Sequence, residues 1–125
     1  MYTVYINYIL IKGVQRLIIV VSKQATALEI EQMLTEHKFY IKVVVDIERH
    51  ILAGGGEMHY DCEQILLENG CQQQNLWGAG YMPLTGSVTY DSLINIRPRQ
   101  NRSMEILDVN IREKVAQIII ELLGT

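Results

Sequence analysis

Cysteine, proline and positive charge are all scarce in this chain. Eleven lysines and arginines stand against fourteen acids, a formal net charge of -3 over 125 residues. A molecule without a positive field lacks the main attraction for a phosphate backbone, so nucleic acid is a disfavoured partner. Two cysteines, Cys62 and Cys71, form neither a CxxC pair nor the dense pattern of a disulfide-stapled secreted domain, and they read as reduced thiols. Only Pro83 and Pro98 punctuate the chain, and no low-complexity tract, repeat or linker divides it. Long apolar runs are missing too. Tyr2 to Ile11 and Leu17 to Val21 are apolar, but Lys12, Gly13, Gln15 and Arg16 separate them. Neither run reaches the ~18 residues of a membrane span, and no positive charge precedes the first as in a signal peptide. The expectation is a cytoplasmic protein with no membrane partner; homo-oligomerisation is left open.

What is present is apolar sequence, 49% of residues, enough for one core. Leu17 to Val21 is a short aliphatic run that suits a strand buried on both faces. Thr26-Ala27-Leu28-Glu29 is a capping box, and Ile30, Met33 and Leu34 follow at helical spacing. Ile41 to Ile47 and Ile51 to Ala53, separated by Glu48-Arg49-His50, predict a hairpin that ends at Gly54-Gly55-Gly56. His59 to Asn69 predicts a helix with Cys62, Ile65 and Leu66 inward and Gly70 as its left-handed cap. Cys71 to Gly86, with three glycines and a proline, reads as loop. Val88 to Arg97 alternates and predicts a strand; Asp108 caps a last helix striped by Ile111, Val115, Ile118, Ile119 and Leu122. The order βαββαβα predicts an α+β fold, with a ferredoxin-like split βαβ sheet, helices on one face and a C-terminal helix as the version it permits.

Several runs resemble one family. They are Ile41 to Arg49, Leu52 to Glu57 with His59 and Asp61-Cys62-Glu63, Leu76-Trp77-Gly78-Ala79, and Ser92 to Ile106. On these the chain resembles a family of small bacterial proteins, domain of unknown function 5674, over about Leu17 to Leu123. The resemblance implies no reaction. It marks Cys71 as standing where serine is usual and Gly80-Tyr81 where Asn-Trp is typical. Members begin near Leu17, so residues 1–16 are expected to be an extension or a start placed too far upstream, and 17–125 the single α+β domain.

The residues that suggest chemistry fall in two segments. His59 and Glu63 lie four apart on a predicted helix and project from one face, a spacing that can hold a divalent metal if Asp46 and Glu48 of the hairpin join them. Acids in a first helical turn also simply complement the helix dipole, and no ligand motif is complete. Cys62 beside His59 allows a nucleophile, against the simpler role of a small buried hydrophobe. Gly54-Gly55-Gly56 before a helix has the flexibility of a phosphate cradle without matching either glycine-rich signature, and a strand end explains it equally. Arg97, Arg99 and Arg102 concentrate guanidinium forks in one loop, to face either an anion or the chain's own carboxylates. Trp77 suits a loop anchor.

The expected function is therefore a polar site for a ligand or partner, made by the 57–63 and 97–105 segments, with His59, Glu63, Asp91, Asn95, Arg97 and Arg99 as its candidate residues. A metal-assisted hydrolase acting on an anionic substrate, with metal on His59, Glu63, Asp46 and Glu48, is the second reading. A protein that pairs through a sheet edge or face is the third.

Overall fold

Alternation along the strands decides the architecture. A computed structural model describes residues 5–11 and 14–124, the first two strands as far as residue 17 by their backbone. Six strands are formed: β1 (Tyr5–Ile11), β2 (Val14–Val21), β3 (Ile41–Asp46), β4 (Ile51–Gly54), β5 (Leu76–Met82) and β6 (Ser87–Thr89). Three helices join them: α1 (Ala27–Met33), α2 (His59–Glu68) and α3 (Val109–Leu123). The strands make one sheet in the order β1-β2-β4-β3-β5-β6, every pair antiparallel. This is an α+β fold.

In β2, Ile19 and Val21 enter one apolar cluster and Ile18 and Val20 the other; in β3, Ile41, Val43 and Val45 oppose Val44. Strands of period two that are apolar on both sides must be covered on both sides. The first cluster is closed by Met33 of α1 and by Val115, Ile118, Ile119, Leu122 and Leu123 of α3. Each of those α3 side chains contributes roughly 1.5–3 kcal/mol by leaving water. The second is closed by Cys62, Ile65 and Leu66 of α2.

Helices on both faces correct the expectation that they share one. The reason lies in the strand order. β2, α1 and β3 form a split βαβ unit around β4, and β4, α2 and β5 form a second around β3. Both units step the same way across the sheet, but their strands run in opposite directions. A right-handed crossover in each then puts α1 and α2 on opposite faces. A ferredoxin-like sheet would set β5 beside β2, where β1 lies instead.

The helix ends follow the sequence. Thr26 Oγ1 accepts from the Glu29 amide at 3.2 Å while Glu29 Oε1 accepts from the Thr26 amide at 2.8 Å, so both halves of the capping box form. Asp108 Oδ1 accepts from the amide of Asn110 at 2.8 Å. Gly70, at φ 88°, ends α2: its amide reaches the Leu67 carbonyl and that of Cys71 the Leu66 carbonyl, each at 3.0 Å.

Two segments depart from expectation. The glycine-rich stretch read as loop contains β5, a strand buried along most of its length. Gly78 and Gly80 do not break it, because other chain segments cross where their side chains would be: a Cβ at Gly78 would lie 2.5 Å from the Ser92 Cβ, and one at Gly80 would run into the Tyr40 ring. The strand expected over Val88 to Arg97 stops at Thr89 and is followed by a 3-10 turn, Leu93–Asn95. Its alternation is no face pattern, since Leu93 and Ile96 are exposed.

Of the expected N-terminal extension, residues 1–4, 12 and 13 lie outside the described residues, as does Thr125 of the domain. The rest supplies β1 and the start of β2, whose pairing to β4 involves only Ile19, Val20 and Val21. A chain beginning at Leu17 keeps that pairing and both helix layers. It is expected to fold with its melting temperature lowered by no more than a few degrees; loss of cooperative unfolding by circular dichroism would show β1 to be integral.

Candidate functional site

The α2 face of β5 carries no side chain at two successive inward positions. Lys42 of β3 is paired to Gly80 and Val44 to Gly78, which leaves a trough above the strand. Tyr40 lies across Gly80, Ser92 across Gly78, and the first turn of α2 walls the third side. The cleft left between them has a volume of about 270 Å³. Apolar groups of Tyr40, Met58, Tyr60, Leu93, Ile94 and Met104 make most of its wall, and Lys42, His59, Asp91 and Ser92 bring the polar groups.

His59 is the first residue of α2, and its ring reaches back over the sheet. Nε2 is 2.7 Å from the carbonyl of Ala79. A carbonyl only accepts, so Nε2 carries the hydrogen and Nδ1 of the neutral ring is bare. Burial lowers the pKa of His59, and Lys42 and His37 add to the decrease against the opposing Ala79 carbonyl and Asp91. The imidazole is thus neutral at pH 7 and a hydrogen-bond acceptor at Nδ1. Burial also raises the Tyr40 hydroxyl, with Asp91 adding to the effect, and keeps it a donor. His37 packs edge-on against Tyr40, ring centroids 6.1 Å apart. Among the described residues, Lys42 and Asp91 line this cleft without a hydrogen bond or ion pair from either side chain.

A depressed histidine pKa is a stability term with a definite sign. Above about pH 6.5 both folded and unfolded His59 are neutral, and its contribution is fully present. As pH falls below that value the unfolded chain binds a proton that the folded chain refuses. Stability should therefore drop by up to about 1.4 kcal/mol per pH unit, until the folded pKa is reached. Urea titrations between pH 7.5 and 5 on the protein and on His59→Gln test this: the variant should lose the His59 part of the slope, and identical slopes would refute the assignment.

The other expected site residues are placed elsewhere. Asn95 is fully buried, its amide bonded to both backbone groups of Gly78, at 2.8 and 2.9 Å. Arg97 faces no acid directly: its guanidinium donates to the carbonyls of Gln74 at 2.8 Å, Gln73 at 3.4 Å and Leu76, and lies 3.8 Å over the Trp77 ring. Glu63 is buried on α2 within electrostatic reach of Arg97. Arg99 is exposed and lines neither this cleft nor a second one, of about 390 Å³, beside Arg97 and Gln100. Arg102 Nε donates to the Pro98 carbonyl at 2.8 Å.

Asp46, expected as a metal ligand, is buried at the end of β3, where Oδ1 accepts from the Glu48 and Arg49 amides at 2.9 Å and forms the hairpin turn. Glu48 is exposed in that turn. Among the described residues no three His, Cys, Asp or Glu side chains gather as metal ligands. Burial pushes the Cys62 thiol up to about 12, the opposite of what a nucleophile needs. Cys71 is likewise held near 12, by burial and then by Asp46. The glycine run is filled by the protein itself, since a Cβ at Gly56 would lie 3.2 Å from both Cys62 Sγ and Ile18. Among the described residues no helix is long and apolar enough to cross a membrane.

Residues 19–122 match the family described as protein of unknown function, DUF5674. The chain belongs to this family. No curated protein and no solved structure matches it. Gly80 falls in the cleft floor, where any side chain would collide with Tyr40, so the cleft takes a shape that an asparagine at this position would not allow.

Two of the expected residues, His59 and Asp91, meet in the cleft, and Tyr40, Lys42, Tyr60 and Met104 are additions. Lys42 left a signal, as the single charge inside the apolar run IKVVV. The tyrosines and Met104 left none, because only the fold brings them together.

Proposed function

We propose that this protein binds a small organic ligand in the cleft over β5. The observation that carries the proposal is the set of polar groups left open there. Lys42, Asp91 and His59, whose Nε2 is taken by the Ala79 carbonyl, line one concavity whose remaining wall is mostly aromatic and aliphatic. Ligand sites combine an apolar wall with a few convergent polar groups in this way. Of the two segments first expected to form a site, 57–63 contributes Met58, His59 and Tyr60, while 97–105 contributes only Met104. Of that segment's arginines, Arg97 and Arg102 donate to backbone carbonyls.

The support for a metal-assisted hydrolase is weaker, because its ligand candidates are spread between the hairpin turn, the cleft and, for Glu63, a buried position of α2 within reach of Arg97. Binding is tested by amide and side-chain chemical shifts on titration with a panel of small anions, cations and zwitterions. A hit should move the signals of Lys42, His59 and Tyr60, raise the melting temperature and lose its effect in Lys42→Met. Saturable binding that leaves those signals in place would locate the site elsewhere and overturn the proposal.

A further inference from the structure

Resting on that reading of the cleft, we infer that the ligand is a small zwitterion of the α-amino-acid type with an apolar side chain, its carboxylate on Lys42 and its ammonium on Asp91 and His59 Nδ1. The cleft contains one cation and one anion, and they are not paired with each other. A simple anion would satisfy Lys42 but face Asp91, and a simple cation would do the reverse. A neutral molecule with both charges satisfies both.

The imidazole sharpens the assignment. Because Nε2–H is committed to Ala79, His59 offers only an acceptor, which suits an N–H of an ammonium and not a carboxylate oxygen. Lys42 is then the anion's partner. The side chain of the ligand has its own surface: Met58, Tyr60 and Met104 are 54%, 56% and 43% exposed around the opening. Thioethers and a tyrosine ring fit aliphatic and aromatic groups of varied shape. A volume of about 270 Å³ equals about nine waters at ~30 Å³ each. That is ample room for a free amino acid.

The test is calorimetry and thermal shift on the full chain with L-leucine, L-methionine and L-phenylalanine, beside leucinamide, N-acetyl-leucine and 4-methylpentanoate. The free amino acids should bind, and each compound lacking one charge should bind about ten-fold more weakly or worse. Lys42→Met should abolish the preference for leucine over leucinamide, and Asp91→Asn the preference for leucine over 4-methylpentanoate. Equal binding of leucine and 4-methylpentanoate would overturn the ammonium contact. Absence of any amino-acid binding, with another compound held in a Lys42-dependent way, would overturn the zwitterion and leave the cleft as a binding site. Absence of binding by every compound, with the Lys42 and His59 signals unmoved, would overturn both.

Discussion

Asn95→Ala is expected to cost about 3–4 kcal/mol and to lower the melting temperature by about 10–15 °C. The side chain does the work of a missing strand. β6 pairs with β5 only over Gly80 to Met82, and beyond it the backbone of Gly78 would face the 92–95 turn with nothing to bond. Asn95 Oδ1 accepts from the Gly78 amide and Nδ2 donates to the Gly78 carbonyl, as a neighbouring strand would. Nδ2 also reaches the carbonyls of Tyr90 and Met104, at 3.3 and 3.1 Å. Alanine leaves several buried backbone groups unsatisfied, each costing about 1–3 kcal/mol. Urea denaturation gives the loss, and hydrogen exchange at the Gly78 amide should accelerate more than at the β3 amides. A loss below about 1 kcal/mol would mean that water or a rearranged turn replaces the asparagine.

Local signals were legible and non-local ones were not. Thr26 and Glu29, Asp108, and Gly70 after Leu67 each act through bonds within a few residues, so their sequence sets their structure. The aliphatic run ending at Val21 announced burial on both faces for the same reason. β5 was hidden because Gly78 and Gly80 look like chain breakers until Ser92 and Tyr40 are seen lying over them. The false strand after Thr89 arose because Asn95, a polar residue in an alternating pattern, is buried as a substitute strand.

The candidate site shows the same division. His59 and Asp91 were legible as titratable groups, but Tyr40 and Lys42, at the start of β3, and Met104, in the 92–107 stretch, are brought beside them only by the fold. Asn101 repeats the role of Asn95 one loop further on. Its Nδ2 contacts the carbonyls of Asn95, Ser103 and Glu105 at 2.8–3.0 Å, and its Oδ1 accepts from the Leu107 amide. In the polar 92–107 stretch, which looked like a donor array for a ligand, Asn95, Asn101 and Arg102 bond backbone in or beside the stretch and Arg97 bonds the carbonyls of Gln73, Gln74 and Leu76, which together hold Asp91, Leu93 and Met104 at the cleft.

Arg97→Ala is expected to destabilise the protein by about 2–3 kcal/mol while leaving ligand binding at the cleft intact. The guanidinium closes the 3-10 turn Gln73–Asn75 through the carbonyls of Gln73, Gln74 and Leu76, and stacks on Trp77. Partial exposure keeps the effect below the sum of three charge-assisted bonds. Lysine should restore less than half, because an ammonium has neither the fork that reaches several carbonyls nor the plane that lies on the indole. The chain's single tryptophan reports the change directly. Its emission should shift in Arg97→Ala under native conditions and stay unchanged in Arg99→Ala, whose side chain is exposed. Full stability in Arg97→Ala would free the guanidinium from this structural role. A Lys42-dependent ligand that binds the protein but not Arg97→Ala would place the arginine in the site after all.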